Sequence, residues 1–238
     1  MKIGILGGTG PAGSALAARL ASVGFETIIG SRSRYRAMEV VDKLHEQWAG
    51  RNLSIVAGDN HDAASADVVV IATPWDGAYG TATSVADLLA GKVVICMANA
   101  LTRIGTEFQP LVPPRGSVAA SVQAAVPACH VAAGFHHVPA NELGDLDHPI
   151  ESDVLICSDY PRATEVTSEI VWQIPNLRPL DAGGLSQATP IESFTAVLLQ
   201  LNMHYKTRVA VKFTGIPELR PDSPEAAASS ADPDAPTS

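Results

Sequence analysis

The run Gly7-Gly8-Thr9-Gly10-Pro11-Ala12-Gly13 constrains the fold of this chain more than any other stretch. Before it stands Lys2-Ile3-Gly4-Ile5-Leu6, a short apolar run rich in β-branched residues. After it, Ser14 to Val23 places apolar side chains at Ala15, Leu16, Ala18, Leu20, Ala21 and Val23 among good helix formers and ends at Gly24. Strand, turn and helix is the reading, and Glu26-Thr27-Ile28-Ile29 closes the unit with a second strand. Within it Gly8-x-Gly10-x-x-Gly13 has the spacing of a dinucleotide-binding turn. One glycine makes the tight turn, one lets the backbone approach a pyrophosphate, and one allows close contact of helix and strand. A ligand-free glycine turn could show the same letters; the strand before and the helix after favour the dinucleotide.

The end of the second strand says which dinucleotide. A site for NAD carries Asp or Glu there to hold the ribose 2′-hydroxyl, whereas this chain reads Gly30-Ser31-Arg32-Ser33-Arg34-Tyr35-Arg36. Hydroxyls and guanidinium forks suit an adenosine 2′-phosphate, through charge-assisted bonds worth roughly 1.5–3 kcal/mol each. NADP(H) is therefore expected rather than NAD(H). The alternative, arginines that merely solvate a helix N-terminus, puts positive charge beside the positive end of a helix dipole with no anion to offset it.

Composition narrows the setting. With 238 residues, 46% of them hydrophobic, the chain can bury a full core, as one large domain or as a domain with a small companion. Its net charge of -9 argues against nucleic acid or an anionic membrane surface as partner. Cys96, Cys129 and Cys157 lie far apart in apolar runs and read as reduced core residues, neither disulfide framework nor metal site. Lys2 and the apolar residues after it could pass for a signal peptide, but the five glycines and one proline between positions 4 and 13 make a poor apolar segment. No run approaches the roughly 20 apolar residues of a membrane span. A cytoplasmic enzyme is the expectation.

Strand and helix keep alternating along the chain, which predicts an α/β fold: a Rossmann-type doubly wound parallel sheet with a smaller C-terminal α/β part and a disordered tail. A helix over Ser33–Trp48 leads to a strand over Leu53–Ala57. His61 to Ala64 makes a turn before the apolar strand Asp67–Ala72, which Thr73-Pro74-Trp75 stops. Ligands of such sheets lie off the carboxyl ends of strands, so Pro74 and Trp75 are cofactor candidates, although a proline that simply ends a strand before a Trp75–Leu89 helix would look the same. Beyond a strand over Lys92–Cys96, Ala98 to Gly116 reads as irregular and long enough to be functional or mobile. A helix over Ser117–Val126 precedes a strand over Cys129–Phe135 that runs into His136-His137-Val138-Pro139-Ala140. Strand, helix, strand then follow over Asp153–Cys157, Ala163–Gln173 and Arg178–Asp181. The last helix is expected over Pro190–Lys212, and the composition turns to Pro, Ala, Ser and acid at about Pro217.

Several chemistries are absent from the sequence: no Tyr is followed four residues later by Lys, and G-x-S-x-G, H-E-x-x-H and paired C-x-x-C do not occur. The acids Glu142, Asp145 and Asp147 read as a solvated loop. His136, at the carboxyl end of a strand on the edge of the glycine turn, can reach a nicotinamide, or it is a satisfied core or surface histidine. His137 would face the other way if the strand continues.

Gly7-Gly8-Thr9-Gly10, Gly30-Ser31-Arg32, Pro74-Trp75, Phe135-His136-His137-Val138-Pro139 and Leu177-Arg178-Pro179-Leu180-Asp181-Ala182-Gly183 together resemble the coenzyme F420-dependent NADP oxidoreductases, over Met1 to about Gly215. The resemblance implies a homodimer that transfers hydride reversibly between NADP(H) and the deazaflavin F420. It implies a Rossmann domain over 1–140, a smaller domain completing the F420 site over 141–215, and a disordered tail over 216–238. In that family the positions matching Thr9, Gly10, Pro11 and Ala12, with Ser31, Arg32 and Arg36, hold NADP. Those matching His136, Val138 and Ala140 line the meeting place of nicotinamide and deazaflavin, and the position of Val209 contacts F420. The second histidine, His137, and the acidic tail depart from the pattern. No metal is implied. The anionic side chain of F420 is expected to meet Lys206, Arg208 and Lys212 at the end of the last helix, with Arg103 and Arg115 as second candidates. An NADP-dependent reductase of another small substrate or a metal chelate, or an NADP(H)-sensing regulator, would share the scaffold.

Overall fold

The computed structural model describes residues 1–217, so the tail, apart from Ile216 and Pro217, lies outside the described residues. The strands are β1 (Lys2–Leu6), β2 (Glu26–Ser31), β3 (Ile55–Asp59), β4 (Val68–Ile71), β5 (Val93–Cys96), β6 (Leu101–Ile104), β7 (Glu107–Pro110), β8 (His130–Ala133), β9 (Ser152–Ser158) and β10 (Leu177–Asp181). The helices are α1 (Pro11–Ser22), α2 (Arg34–Gln47), α3 (Asn60–Ala64), α4 (Trp75–Ser84), α5 (Ala86–Leu89), α6 (Val118–Ala125), α7 (Ala140–Leu143), α8 (Pro161–Gln173) and α9 (Ala188–Tyr205). All strands but β6 and β7 form one sheet in the order β10-β9-β8-β5-β4-β1-β2-β3. From β3 to β8 neighbours run parallel; β9 is antiparallel to β8, and β10 is parallel to β9. The fold is therefore the expected Rossmann-type doubly wound sheet, and its C-terminal strands extend that same sheet in the reverse direction.

Each face of the sheet packs its own core. In β4, Val68 and Val70 join the core under α1, α2 and α8, while Val69 and Ile71 join the one under α3, α4, α6 and α9. An all-apolar strand with alternating side chains needs cover on both sides, and gets it. Local chemistry sets the helix starts: Ser33 Oγ accepts the Arg36 N–H at 3.4 Å to open α2, and Asp59 with Asp62 forms a capping box on α3. Pro179 sits in β10, an edge strand, where its missing N–H costs no ladder bond.

Five expected elements differ. The section over Ala98–Gly116 contains the β6–β7 hairpin, whose two-residue loop Gly105-Thr106 is opened by Gly105 at φ +61. The turn at His61–Ala64 belongs to α3. The helix over Trp75–Leu89 is split at Val85, where Thr83 Oγ1 and Ser84 Oγ donate to the carbonyls of Tyr79 and Thr81 and so compete with the backbone ladder. The last helix stops at Tyr205, because Lys206 turns left-handed at φ 51 and the Asn202 side chain accepts the Val209 N–H. Finally, β8 ends at Ala133 rather than at Phe135, with consequences for both histidines.

Candidate active site

The glycine turn is built by contact. A Cβ on Gly7, at φ +68, would lie 2.5 Å from Thr73 Cγ2, and one on Gly13 would lie 2.8 Å from the Gly8 Cα, so the helix start seats directly on the turn. A Cβ on Gly10 would meet nothing nearer than the Gly7 carbonyl at 3.8 Å, which leaves open ground in front of the turn. No side chain caps α1, and Pro11 occupies its first turn. The N–H groups of Ala12 and Gly13 thus have no partner within their helix and favour an anion. Gly8 N–H donates to the Gly30 carbonyl at 2.9 Å, tying the turn to the end of β2. There Ser31 is buried, its Oγ accepting the Ser33 N–H at 3.2 Å, while Arg32 and Arg36 are exposed. Arg34 pairs with Asp62 at 3.0 Å; among the described residues Arg32 and Arg36 form no ion pair.

The ends of β4, β5 and β8 complete the same edge. After β4, the Thr73 hydroxyl is buried without a hydrogen-bond partner among the described residues, and Pro74 and Trp75 are exposed beyond it. After β8 the chain turns at Phe135, a buried residue at φ 64, so the strand alternation expected for the two histidines does not apply and both are buried. A left-handed non-glycine residue costs roughly 1–2 kcal/mol, and such strain concentrates where a site needs it. His137 Nε2 donates to the Asp153 carbonyl at 2.8 Å, which makes this histidine an anchor of β9. His136 has both ring nitrogens buried and, among the described residues, unpartnered. Burial, and then the charge of His137, push its pKa down to about 3, although the nearby backbone of Ala98 and Met97 opposes the shift; the ring is neutral across the physiological range.

The backbone of His136 is held firmly. Asn99 Nδ2 donates to its carbonyl at 2.9 Å, and Thr195 Oγ1, on α9, lies 3.1 Å from that carbonyl and 3.2 Å from Asn99 Oδ1. Val138 is buried in the core beneath α1, and Ala140 opens α7. The loop that follows is closed from below: Arg19, buried on α1, donates to the carbonyls of Glu142, Leu143, Asp145 and His148. Arg19 holds main-chain carbonyls and leaves the carboxylates of this loop at the surface, Asp147 exposed and Glu142 and Asp145 half-buried; Asp147 pairs with Arg51 at 2.9 Å. Val209 lies after α9, on a segment whose Val211 carbonyl accepts the Asp153 N–H. The edge therefore gathers the glycine turn, Ser31, Arg32, Arg36, Pro74, Trp75 and His136, with Val209 linked to it through Asp153 and His137. Lys206, Arg208 and Lys212 are exposed, but on this segment rather than on helical turns. Sequence reasoning missed Thr73, Asn99 and Thr195; only Thr73, inside the strand-ending tripeptide, had a local signal. Among the described residues no cluster of His, Cys, Asp and Glu could hold a metal ion.

Residues 2–100 match the family described as NADP oxidoreductase, coenzyme F420-dependent. The F420-dependent NADP reductase of Methanocaldococcus jannaschii is 37% identical over 213 residues, covering 87% of this chain and 95% of that protein. The F420-dependent NADP reductase of Methanothermobacter thermautotrophicus is 33% identical over 228 residues, covering 92% and 97%. A solved structure from Arthrobacter sp. FB24 shares the fold with a TM-score of 0.75 at 23% identity, covering 90% of this chain and 99% of that one. With the glycine turn, the arginine-bearing β2 end and the histidine edge all in place, the chain belongs to the family of F420-dependent NADP reductases.

Proposed function

We propose that the enzyme's reaction, reversible hydride transfer between NADP(H) and F420, takes place on the edge formed by the ends of β1, β4, β5 and β8. The single observation that carries this placement is the layout of that edge, with an open glycine turn at one end and a buried, unpartnered His136 at the other. The nicotinamide and the deazaflavin supply the hydride chemistry themselves when bound. The chain's residues hold and orient. The Ala12 and Gly13 N–H groups at the start of α1, with Gly8, Thr9 and Gly10 in the turn, take a pyrophosphate; Ser31, Arg32 and Arg36 take the adenosine 2′-phosphate. Pro74 and Trp75 border the ribose side, above the buried Thr73 hydroxyl. His136 shapes the site from beneath through its backbone and its buried, neutral imidazole, and donates no cationic proton. Stacking two rings in a dry cleft is a task of position, which is where most of the rate comes from when no acid–base partner is required.

In this reading residues 1–140 bind NADP(H) and residues 141–215 complete the F420 side, with Val138, Ala140 and Val209 along it. The chain acts as a homodimer, to which the partly exposed Phe194, Val197 and Tyr205 on α9 lend an apolar face. Its three free, buried cysteines suit the reducing cytoplasm. Mixing the protein with NADPH and oxidised F420 should bleach the deazaflavin absorbance; unchanged absorbance at saturating NADPH would refute the reading. Light scattering tests the dimer.

A further inference from the structure

Residues 211–216 pass the start of β9, at Ser152 and Asp153, on the side that β8 does not reach. The Ser152 N–H points to β10, donating to Asn176, so the next N–H, that of Asp153, points the other way and donates to the Val211 carbonyl at 2.7 Å. Ser152 Oγ reaches the same carbonyl at 3.2 Å. The Asp153 carboxylate is fully buried and accepts Arg178 Nε at 2.7 Å and Nη2 at 2.6 Å as a fork, and the Phe213 N–H at 2.6 Å. Arg178 also donates to the Phe213 and Ile216 carbonyls, each at 2.6 Å. The Asp153 carbonyl, finally, receives His137. One residue thus joins the strand-end histidines, the edge strand and the chain beyond α9.

A buried ion pair is weak as a source of stability, because desolvation offsets most of the attraction, and strong as a fixer of geometry when every donor and acceptor is met. We propose that Asp153 and Arg178 form a latch that positions residues 206–216 as a wall on the F420 side of the site. They act as positioning residues, through the segment that carries Val209 and through His137. The inference rests on the functional reading above. Burial pushes the Asp153 carboxyl upward, but the Arg178 guanidinium and the Phe213 N–H outweigh it and hold the group below the usual carboxylate range, so the latch stays charged at neutral pH. The near end of the segment has its own tie, the Val209 N–H to Asn202 Oδ1 at 2.5 Å.

The double variant Asp153→Asn/Arg178→Met removes both charges together and leaves no orphaned ion in the core. Binding of NADPH, followed by nicotinamide fluorescence, should stay within about twofold of wild type, whereas binding of F420, followed by equilibrium titration, should weaken at least about tenfold. Amide exchange over 206–216 should quicken, and Arg178→Lys, which keeps the charge and loses the fork, should fall between. Faster exchange with unchanged F420 affinity overturns the proposal. So does parallel loss of both affinities with a lower melting temperature, which marks a purely structural pair. If the double variant does not fold, Asn202→Ala releases the segment at its near end and is judged by the same split. A wild-type protein that binds NADPH but not F420 sinks the functional reading and the latch's purpose with it, a result distinct from wild type and variant binding F420 equally well, which overturns the latch alone.

Discussion

Arg32 and Arg36 stand exposed on either side of Arg34, and among the described residues only Arg34 forms an ion pair, with Asp62. Replacing Arg32 with Asp removes a phosphate fork and offers a ribose-hydroxyl acceptor, so NADP affinity should fall at least about tenfold, one decade for each roughly 1.4 kcal/mol lost. An unchanged preference for NADP over NAD in a binding titration would disprove the assignment. His136 gives a pH signature. Its folded pKa lies far below the ordinary 6.5, so the stability it contributes is present above pH 6.5 and lost as pH falls toward about 3. Urea unfolding of wild type and His136→Asn should show the wild type losing about 1.4 kcal/mol relative to the variant for each pH unit between 6.5 and 4. Parallel pH curves would mean that the imidazole is hydrated or paired.

The start of α6 shows how elements are joined. Ser117 Oγ accepts the Ala120 N–H at 2.9 Å, and the buried Glu192 carboxylate, projecting from α9, accepts the N–H groups of Val118 and Ala119 at 2.9 and 3.1 Å. One turn later on α9 stands Thr195, which meets the His136 carbonyl, so a single helix ties α6 to the histidine edge. Burial pushes the Glu192 pKa up to about 7 against those two N–H bonds. Because the folded value exceeds the ordinary 4.5, its favourable contribution is full below pH 4.5 and is lost as pH rises to about 7, a change of about 3 kcal/mol at most. The stability of wild type relative to Glu192→Gln should therefore fall over that range and level off above it; denaturant midpoints from pH 4.5 to 8.5 check this. A wild-type advantage that grows with pH would show that the two N–H bonds dominate over burial.

At the scale of the whole molecule, charge matters through its distribution. A chain of net charge -9 repels an anionic substrate at a distance, so local cations must stand at the mouth of the site. Lys206, Arg208 and Lys212 lie exposed along the segment that also carries Val209. If they steer F420, its Michaelis constant should rise with ionic strength, and Arg208→Ala should flatten that rise while leaving the NADPH constant nearly unchanged. Salt-independent kinetics for F420 would reduce the cluster to solvated surface.

The sequence by itself determined what periodicity and local chemistry determine: the alternation of strand and helix, the glycine turn, the helices that open at Ser33 and Ser117, and the cluster that follows β2. These signals act over a few residues and survive any packing. It erred where a tertiary or side-chain bond overrode a local pattern, as when Asn202 took the Val209 N–H and ended α9 early, or when Phe135 adopted φ 64 and cancelled the alternation that was to separate His136 from His137. What only the tertiary structure decided depends on residues far apart in the chain. Asn99 and Thr195 meet at the His136 carbonyl, Arg19 closes the loop after α7, and Asp153 with Arg178 clasps the segment after α9. Each is a polar group buried by the fold, and a buried polar group must find its partner wherever the packed chain supplies one. No spacing in the sequence records that choice.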